Sequence, residues 1–371
     1  MSGIYIHIPF CKQACYYCNF HFSTSLRSKN ELVDALLKEI ELQQANFKED
    51  EKIETIYFGG GTPSLCTKSE LESILGKIKS LYTVSPEAEI TLEANPDDIS
   101  IQKLSEWKEI GINRLSIGIQ SFFEEDLLWM NRAHNAPQAL KSLQLALDYF
   151  KNITIDLIYG TPGLTNDKWK QNVDKAISLG IPHLSCYALT VEPKTPLDKL
   201  IRQHKTENIN AETQSEQFLL LMQWLEEAGY EHYEISNFAK PGFRSRHNSS
   251  YWQGKKYIGI GPSAHSFDGN TRWWNIANNA AYIRSIGQGV IPFEQETLTI
   301  TQKLNEYIMI SLRTEEGLNL TKLATKEADK LAAESSKYLE KGLLKKEGNF
   351  LRLTKEGKLL ADGIAADLFF D

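Results

Sequence analysis

The sequence predicts an α/β protein: an open, partial (β/α)6 barrel followed by a smaller, mainly helical, winged-helix-like domain. Six short apolar segments between Ile4 and Ala188 alternate with stretches of helical period, the pattern of a parallel sheet with helices outside. Cysteines, glycines and polar residues fall just beyond the segment ends, where such folds gather their functional groups. From about residue 296 the chain turns helical and closes on a helix-then-hairpin signature.

In chain order, Ile4, Ile6 and Ile8 alternate with Tyr5 and His7 in a strand stopped by Pro9. A helix is expected over residues 30–46. The second strand, Thr55–Phe58, runs into Gly59-Gly-Gly-Thr-Pro63, and Thr67 with Glu70 reads as a capping box opening a helix to Leu81. Strands follow at Glu89–Ala94, Arg114–Gln120, Ile153–Ile158 and His183–Ala188, each with helical stretches behind it. Six units are too few for a closed eight-stranded barrel. The expected divisions are 1–228 for the core, 229–295 for an aromatic, Gly/Asn-rich connecting region, and 296–371 for the last domain. In that domain helices are expected near 301–313, 320–324 and 328–341, then a hairpin.

The 42% hydrophobic content supports a sizeable core, and 41 Lys+Arg against 48 Asp+Glu give a net charge of −7. That balance argues against nucleic acid as a partner, although residues 322–358 are locally basic. No secretory leader or run of eighteen apolar residues is legible, and clustered cysteines suit a reducing, cytoplasmic setting.

Cys11, Cys15 and Cys18 form a C-x3-C-x2-C run. Thiolates this close do not pair sensibly as disulfides, but they can converge on zinc or an iron–sulfur cluster. Three ligands are one short of the usual four. A small molecule in the fourth place makes the centre reactive. His21 in that place makes a Cys3His zinc site, and the chain a non-catalytic binding module. The triple glycine is no phosphate loop, since no Gly-Lys-Ser/Thr follows, but bare backbone can approach a ligand and offer N–H donors to a carboxylate. In Arg246-His-Asn-Ser-Ser-Tyr-Trp252, His247 is a candidate heme-iron ligand and Tyr251 and Trp252 could flank a macrocycle. His265 lies in a loop of the same region, and Cys66 and Cys186 read as small buried hydrophobes.

The cysteine spacing after strand one and the glycine turn after strand two resemble the radical S-adenosylmethionine (SAM) superfamily. The stretches Thr91–Pro96, Ser116–Phe122, Asn131-Arg132 and Asp156–Pro162 resemble its oxygen-independent coproporphyrinogen III oxidase-like branch, and the likeness continues into the C-terminal block. This resemblance implies a TIM-like partial barrel with a [4Fe-4S] cluster on Cys11, Cys15 and Cys18, and SAM on the fourth iron. The implied SAM pocket is lined by Tyr5, Tyr17, Gly60, Gly61, Thr62, Glu93, Gln120, Arg132, Asp156 and Ala188.

Two departures from the oxidases stand out. They read Cys-Gly-Cys where this chain reads Cys18-Asn19-Phe20, and they carry an N-terminal extension where only ten residues precede Cys11. Both, with the His-Asn-x-x-Tyr-Trp motif, resemble the HemW-like heme-chaperone branch. That likeness implies heme as cargo with His247 as its axial ligand, heme-acceptor proteins and an electron donor as partners, and no oxidase activity. Peripheral membrane association and a homodimer are compatible with it, and no catalytic residue is assigned. The alternative is oxidative decarboxylation of coproporphyrinogen III.

Overall fold

The computed structural model describes residues 2–46 and 52–371. Six parallel strands stand side by side in chain order: β1 (Ser2–Ile8), β2 (Ile53–Gly60), β3 (Val84–Ala94), β4 (Arg114–Gln120), β5 (Ile153–Tyr159) and β6 (His183–Ala188). Each hands over to helical chain, so the expected (β/α)6 arrangement is present. The capping box at Thr67 and Glu70 forms, with both reciprocal hydrogen bonds.

Side chains alternate faces along a strand, and here the two faces differ in chemistry. Ile4, Ile6, Ile8, Ile56, Phe58, Leu92, Leu115, Ile117, Ile155 and Leu157 are buried against the helices in one core. At roughly 1.5–3 kcal/mol for each large apolar side chain removed from water, this face dominates the stabilisation. The intervening positions carry Tyr5, His7, Tyr57, Glu93, Ser116, Asp156, Ser185 and Tyr187. In β1, β4 and β5 a single residue keeps contact with solvent (Tyr5, Gly118 and Asp156 respectively), and each is on this second face. The polar face lines the barrel interior.

Residues 229–295 show no long periodic run in the sequence, yet they extend the same sheet at both edges to twelve strands. Beyond β6 come β8 (Asn237–Ala239) and β7 (Glu231–Glu234), both antiparallel. On the other side β9 (Lys256–Ile260) pairs parallel with β1, followed by antiparallel β10 (His265–Phe267), β11 (Thr271–Asn275) and β12 (Phe293–Thr297). These strands have three to five residues, and β12 is exposed throughout, so no apolar alternation marks it.

The C-terminal part has its own core around Leu304, Ile308, Leu312, Leu331, Leu351 and Ile364. Helices Ile300–Leu312, Thr325–Glu340 and Ala361–Asp367 pack there with a small sheet of β13 (Leu318–Asn319), β15 (Phe350–Leu353) and β14 (Leu344–Glu347). The β14–β15 hairpin is the expected wing. The helix expected at 320–324 is one 3-10 turn, Leu320–Lys322, because Asn319 Oδ1 accepts from the Thr321 N–H and tightens the chain there. Among the described residues no helix is long and apolar enough to cross a membrane.

One buried acid ties the β9–β11 extension to the barrel. Glu39, on helix Lys29–Leu42, is fully buried and accepts from Tyr282 Oη (2.5 Å), Asn275 Nδ2 (2.7 Å) and the Gly261 N–H (2.8 Å). Burial raises its carboxyl above the ordinary range. Glu39→Ala is expected to cost about 3 kcal/mol of unfolding free energy, since these three buried donors and Gln43 Nε2 (3.3 Å) lose their acceptor, and urea denaturation would measure the loss.

Candidate functional site at the barrel mouth

The cysteine loop crosses the C-terminal mouth of the barrel without regular structure of its own, so its backbone groups find partners elsewhere. Cys11 N–H donates to Ser23 O, Tyr16 N–H to Met130 O, and Leu197 N–H to Tyr16 O. Gln13 Nε2 donates to Asn131 Oδ1 (2.8 Å), and Asn131 Nδ2 returns a bond to Ala14 O (2.7 Å). Lys12 pairs with Asp97 and Asp98 below. The three thiols are partly buried and unpaired with one another.

The glycine turn serves this loop. Gly61 N–H donates to Ile8 O (2.9 Å) and Thr62 N–H to Phe10 O (2.7 Å). A Cβ on Gly61 would stand 2.6 Å from Phe10 O, and Gly60 has φ +107 with His7 equally close to its missing Cβ. The expectation that this turn offers N–H donors to a carboxylate is therefore corrected. Those of Gly61 and Thr62 are spent on holding β1 and the loop, and Gly60 N–H turns toward Glu93.

Arg132 joins the loop to the strands. Nη1 donates to Cys15 Sγ at 3.2 Å, and Nη2 to Asn95 Oδ1 and Gly118 O, both at 2.8 Å. Its Nε is buried with no partner. Tyr17 Oη lies 3.5 Å from the same guanidinium, and Thr62 Oγ1 is 3.5 Å from Cys11 Sγ. Burial pushes the Cys11 thiol up to about 11 despite the Thr62 bond, so a ligand metal would have to displace its proton. Gln120 has φ +67 at a register shift between β4 and β5, and Asn131 has φ +56. Left-handed backbone in two non-glycine residues beside one site is strain held by the surroundings.

Deeper in the lumen, Tyr57 Oη donates to Glu93 Oε1 at 2.8 Å, and Tyr5 stacks on Tyr57 with centroids 6.1 Å apart. Burial raises Glu93 to about 7, with Asp156 adding to the rise. Burial likewise raises Asp156 to about 7, although Arg132 and a bond from Ser185 oppose it. Ala188 ends β6 exposed at the rim. All ten residues expected around SAM thus lie at the mouth or in the lumen beneath it.

Asn95, expected just beyond a strand end, belongs to the same lining, as do Tyr57, His7 and Tyr187, which were not singled out from the sequence. A signal was present: parallel strands covered on both faces are usually apolar throughout, and polar residues at every second position in six of them mark a lumen.

His247 is elsewhere. The Arg246–Trp252 helix closes the opposite, N-terminal end of the barrel, where the N–H groups of Arg246 (3.1 Å) and His247 (3.0 Å) donate to the Glu89 carboxylate. His247 is 1% exposed. Its Nδ1 meets Thr55 Oγ1 at 2.7 Å, its Nε2 meets Tyr251 Oη at 2.9 Å, and its ring stacks on Tyr57 at 4.9 Å. Burial lowers it to about 3, so it is neutral. Both ring nitrogens are thus engaged inside the protein in this structure.

His21 Nε2 bonds Asn279 Oδ1 at 2.7 Å. Among the described residues no three His, Cys, Asp or Glu side chains gather around one ion position. His265 is exposed and stacks on Trp274. Cys66 and Cys186 are buried, as expected of small hydrophobes.

Comparison with known proteins agrees with the fold. Residues 5–176 match the Radical SAM superfamily model and residues 298–360 the HemN C-terminal domain. The solved coproporphyrinogen III oxidase HemN of Escherichia coli superposes with TM-score 0.84 over 99% of this chain and 89% of that one, at 21% identity, a likeness of fold. Fold and site thus define a radical SAM protein. At 34% identity the chain aligns with heme chaperone HemW of Mycobacterium tuberculosis over 99% of its own length and 94% of the relative's, and with that of Bacillus subtilis over 98% of each. The chain belongs to the HemW family of the radical SAM superfamily.

The lumen carboxyls give a pH test. Glu93 and Asp156 rise to about 7 on folding, so folding favours their protonated forms. The stability this confers is complete below the unfolded-state carboxyl values and is lost as pH rises through about 7. The unfolding midpoint of the ligand-free protein is expected to fall across that range, and Glu93→Gln combined with Asp156→Asn to flatten the fall. Denaturation at a series of pH values reads both.

Proposed function

We propose that this chain is a cytoplasmic heme chaperone: it holds a [4Fe-4S] cluster on Cys11, Cys15 and Cys18 with SAM beside it, binds heme, and passes the heme to acceptor proteins. The observation that carries the reading is the full-length likeness, at 34% identity, to relatives named heme chaperone HemW.

The residues at the mouth fit the cluster and SAM. Three thiols share one loop, the Arg132 guanidinium faces Cys15, and the Thr62 hydroxyl faces Cys11. Donors of this kind stabilise thiolate charge and tune a cluster's potential. When bound and reduced, such a cluster supplies an electron to the SAM sulfonium. The chain's own part is to place that ligand. The Gly60–Thr62 turn lies against it as a close backbone wall, and Arg132, with its unpartnered Nε, stands near for its carboxylate. Glu93, Gln120 and Asp156 face its ribose hydroxyls and positive charge, while Tyr5, Tyr17 and Ala188 form walls. The reading also requires an electron donor and heme-accepting proteins. Contact with a membrane, where this chain makes it, is proposed to be peripheral, and heme exchange is compatible with a homodimer.

Anaerobic reconstitution tests the assignment. Replacing any one of Cys11, Cys15 or Cys18 by Ala should abolish cluster absorbance while leaving the far-ultraviolet circular dichroism unchanged. Wild-type protein loaded with heme should deliver it to an apo-hemoprotein and leave coproporphyrinogen III untouched in the presence of SAM and reductant. Formation of protoporphyrinogen would make the chain an oxidase, and zinc in place of iron would make it a metal-stabilised binding module.

SAM carries two positive groups, so its affinity should rise as pH passes upward through about 7 and both lumen carboxyls ionise. Glu93→Gln should weaken SAM binding roughly tenfold above that pH, the loss of one charge-assisted contact. Calorimetric titration at pH values on either side would measure it.

A further inference from the structure

The large sheet has two edges, and they are finished differently. At β7 the C-terminal part covers the edge: Glu315 N–H donates to Tyr233 O at 3.0 Å, and Glu234 bridges to Thr314. At the other end stands β12, paired with β11 alone and exposed at every residue from Phe293 to Thr297.

The β11–β12 register shows which backbone groups of this strand are free. Ile276 N–H donates to Pro292 O and Leu298 N–H to Asn270 O, both at 2.9 Å, so the groups of Glu294 and Glu296 also face β11. Bonding directions alternate along an antiparallel pair, which turns the N–H and C=O of Phe293, Gln295 and Thr297 outward. Among the described residues nothing pairs with them. The side chains add a pattern. Phe293, 48% exposed, shares a face with Gln295 and Thr297, and Val290 and Ile300 stand exposed just before and after the strand. The opposite face carries Glu294 and Glu296. Glu296 is paired with Arg272, whereas the Glu294 carboxylate has no basic partner among the described residues.

A second copy is a poor occupant of this edge. Antiparallel pairing of two β12 strands about Gln295 sets Glu294 opposite Glu296, and a slip of one pair in either direction sets a glutamate opposite itself. Like charges directly opposite destabilise a sheet. Charged side chains thus guard the edge against its own kind, while a strand of opposite charge meets no such barrier. We propose that β12 is a docking edge for an extended segment of a partner protein in which basic and apolar residues alternate. The segment adds as a further strand, with its main chain on Phe293, Gln295 and Thr297, its apolar side chains beside Phe293 and its basic ones beside Glu294. Three strands separate this edge from β1, and the proposal does not depend on the chaperone reading.

The test is fluorescence polarisation of short labelled peptides of alternating residues, titrated with the full-length protein. A Lys-Val peptide should bind saturably. A Glu-Val peptide should bind about tenfold more weakly, since its charges oppose the glutamates of β12. Methylating the Val amides should abolish binding, because those N–H groups face β12 when Val lies beside Phe293. Methylating the Lys amides, which face solvent, should leave binding within about threefold. Both methylated peptides keep the charge of the parent, so the contrast separates strand addition from general attraction to an acidic chain. Gln295→Pro removes only an outward N–H, a change that an edge strand tolerates. It should weaken the Lys-Val peptide about tenfold, the scale of one main-chain bond, with the far-ultraviolet circular dichroism unchanged. Glu294→Lys should move the preference to the Glu-Val peptide. Equal binding of the two methylated peptides, equal binding of the Lys-Val and Glu-Val peptides, or no saturable binding of the Lys-Val peptide would each overturn the proposal. So would a homodimer that Gln295→Pro dissociates, since a second copy then fills the edge.

Discussion

Six parallel strands that are apolar on one face and polar on the other impose the central constraint on this molecule. The apolar face has to be covered by helices, and the polar face cannot be packed dry, because buried polar groups must be hydrogen-bonded. A curved sheet that encloses its polar face satisfies both demands. The enclosed face then carries tyrosines, two carboxyls and a guanidinium close enough to shift one another. Glu93 and Asp156 are raised to about 7 because the enclosure removes water, and Asp156 adds to the rise of Glu93. The same enclosure that satisfies the fold thus supplies an interior suited to a cationic ligand.

The two ends of the lumen are finished differently. At the mouth, a loop with no regular structure is fixed by backbone bonds from the glycine turn and by Asn131 and Gln13, and Arg132 ties it to β4. Glycine is needed at Gly61 because two backbones approach too closely for a Cβ, a packing requirement met before any ligand is considered. At the base, the Arg246–Trp252 helix sets its first N–H groups on the Glu89 carboxylate and stacks His247 on Tyr57. Negative charge at a helix N-terminus is favourable, so the plug is held electrostatically as well as by ring contact.

This arrangement gives the His-Asn-x-x-Tyr-Trp motif a structural meaning. The histidine and tyrosine, one helical turn apart, bond each other and close the barrel, while the tryptophan belongs to the surface between the core and the C-terminal wing. The helix period thus splits the motif, with His247 and Tyr251 turned to the barrel and Trp252 facing a groove.

The sequence by itself determined the six-unit order, the strand ends at which functional residues gather, the capping box, the wing and the family, because these are set by local periodicity and short-range spacing. It also placed the ten residues expected around SAM in segments that the structure brings to one lumen. It did not reveal β7–β12, since strands of three to five residues acquire their stability only from pairing with a sheet already built. It could not show that the N–H groups of Gly61 and Thr62 are consumed by residues some fifty positions earlier, nor that His247 is sealed against Thr55 and Tyr57. Only tertiary structure decided those points: a hydrogen bond is exhausted by the partner that reaches it first, and that partner, like the groove beside Trp252, is distant in sequence.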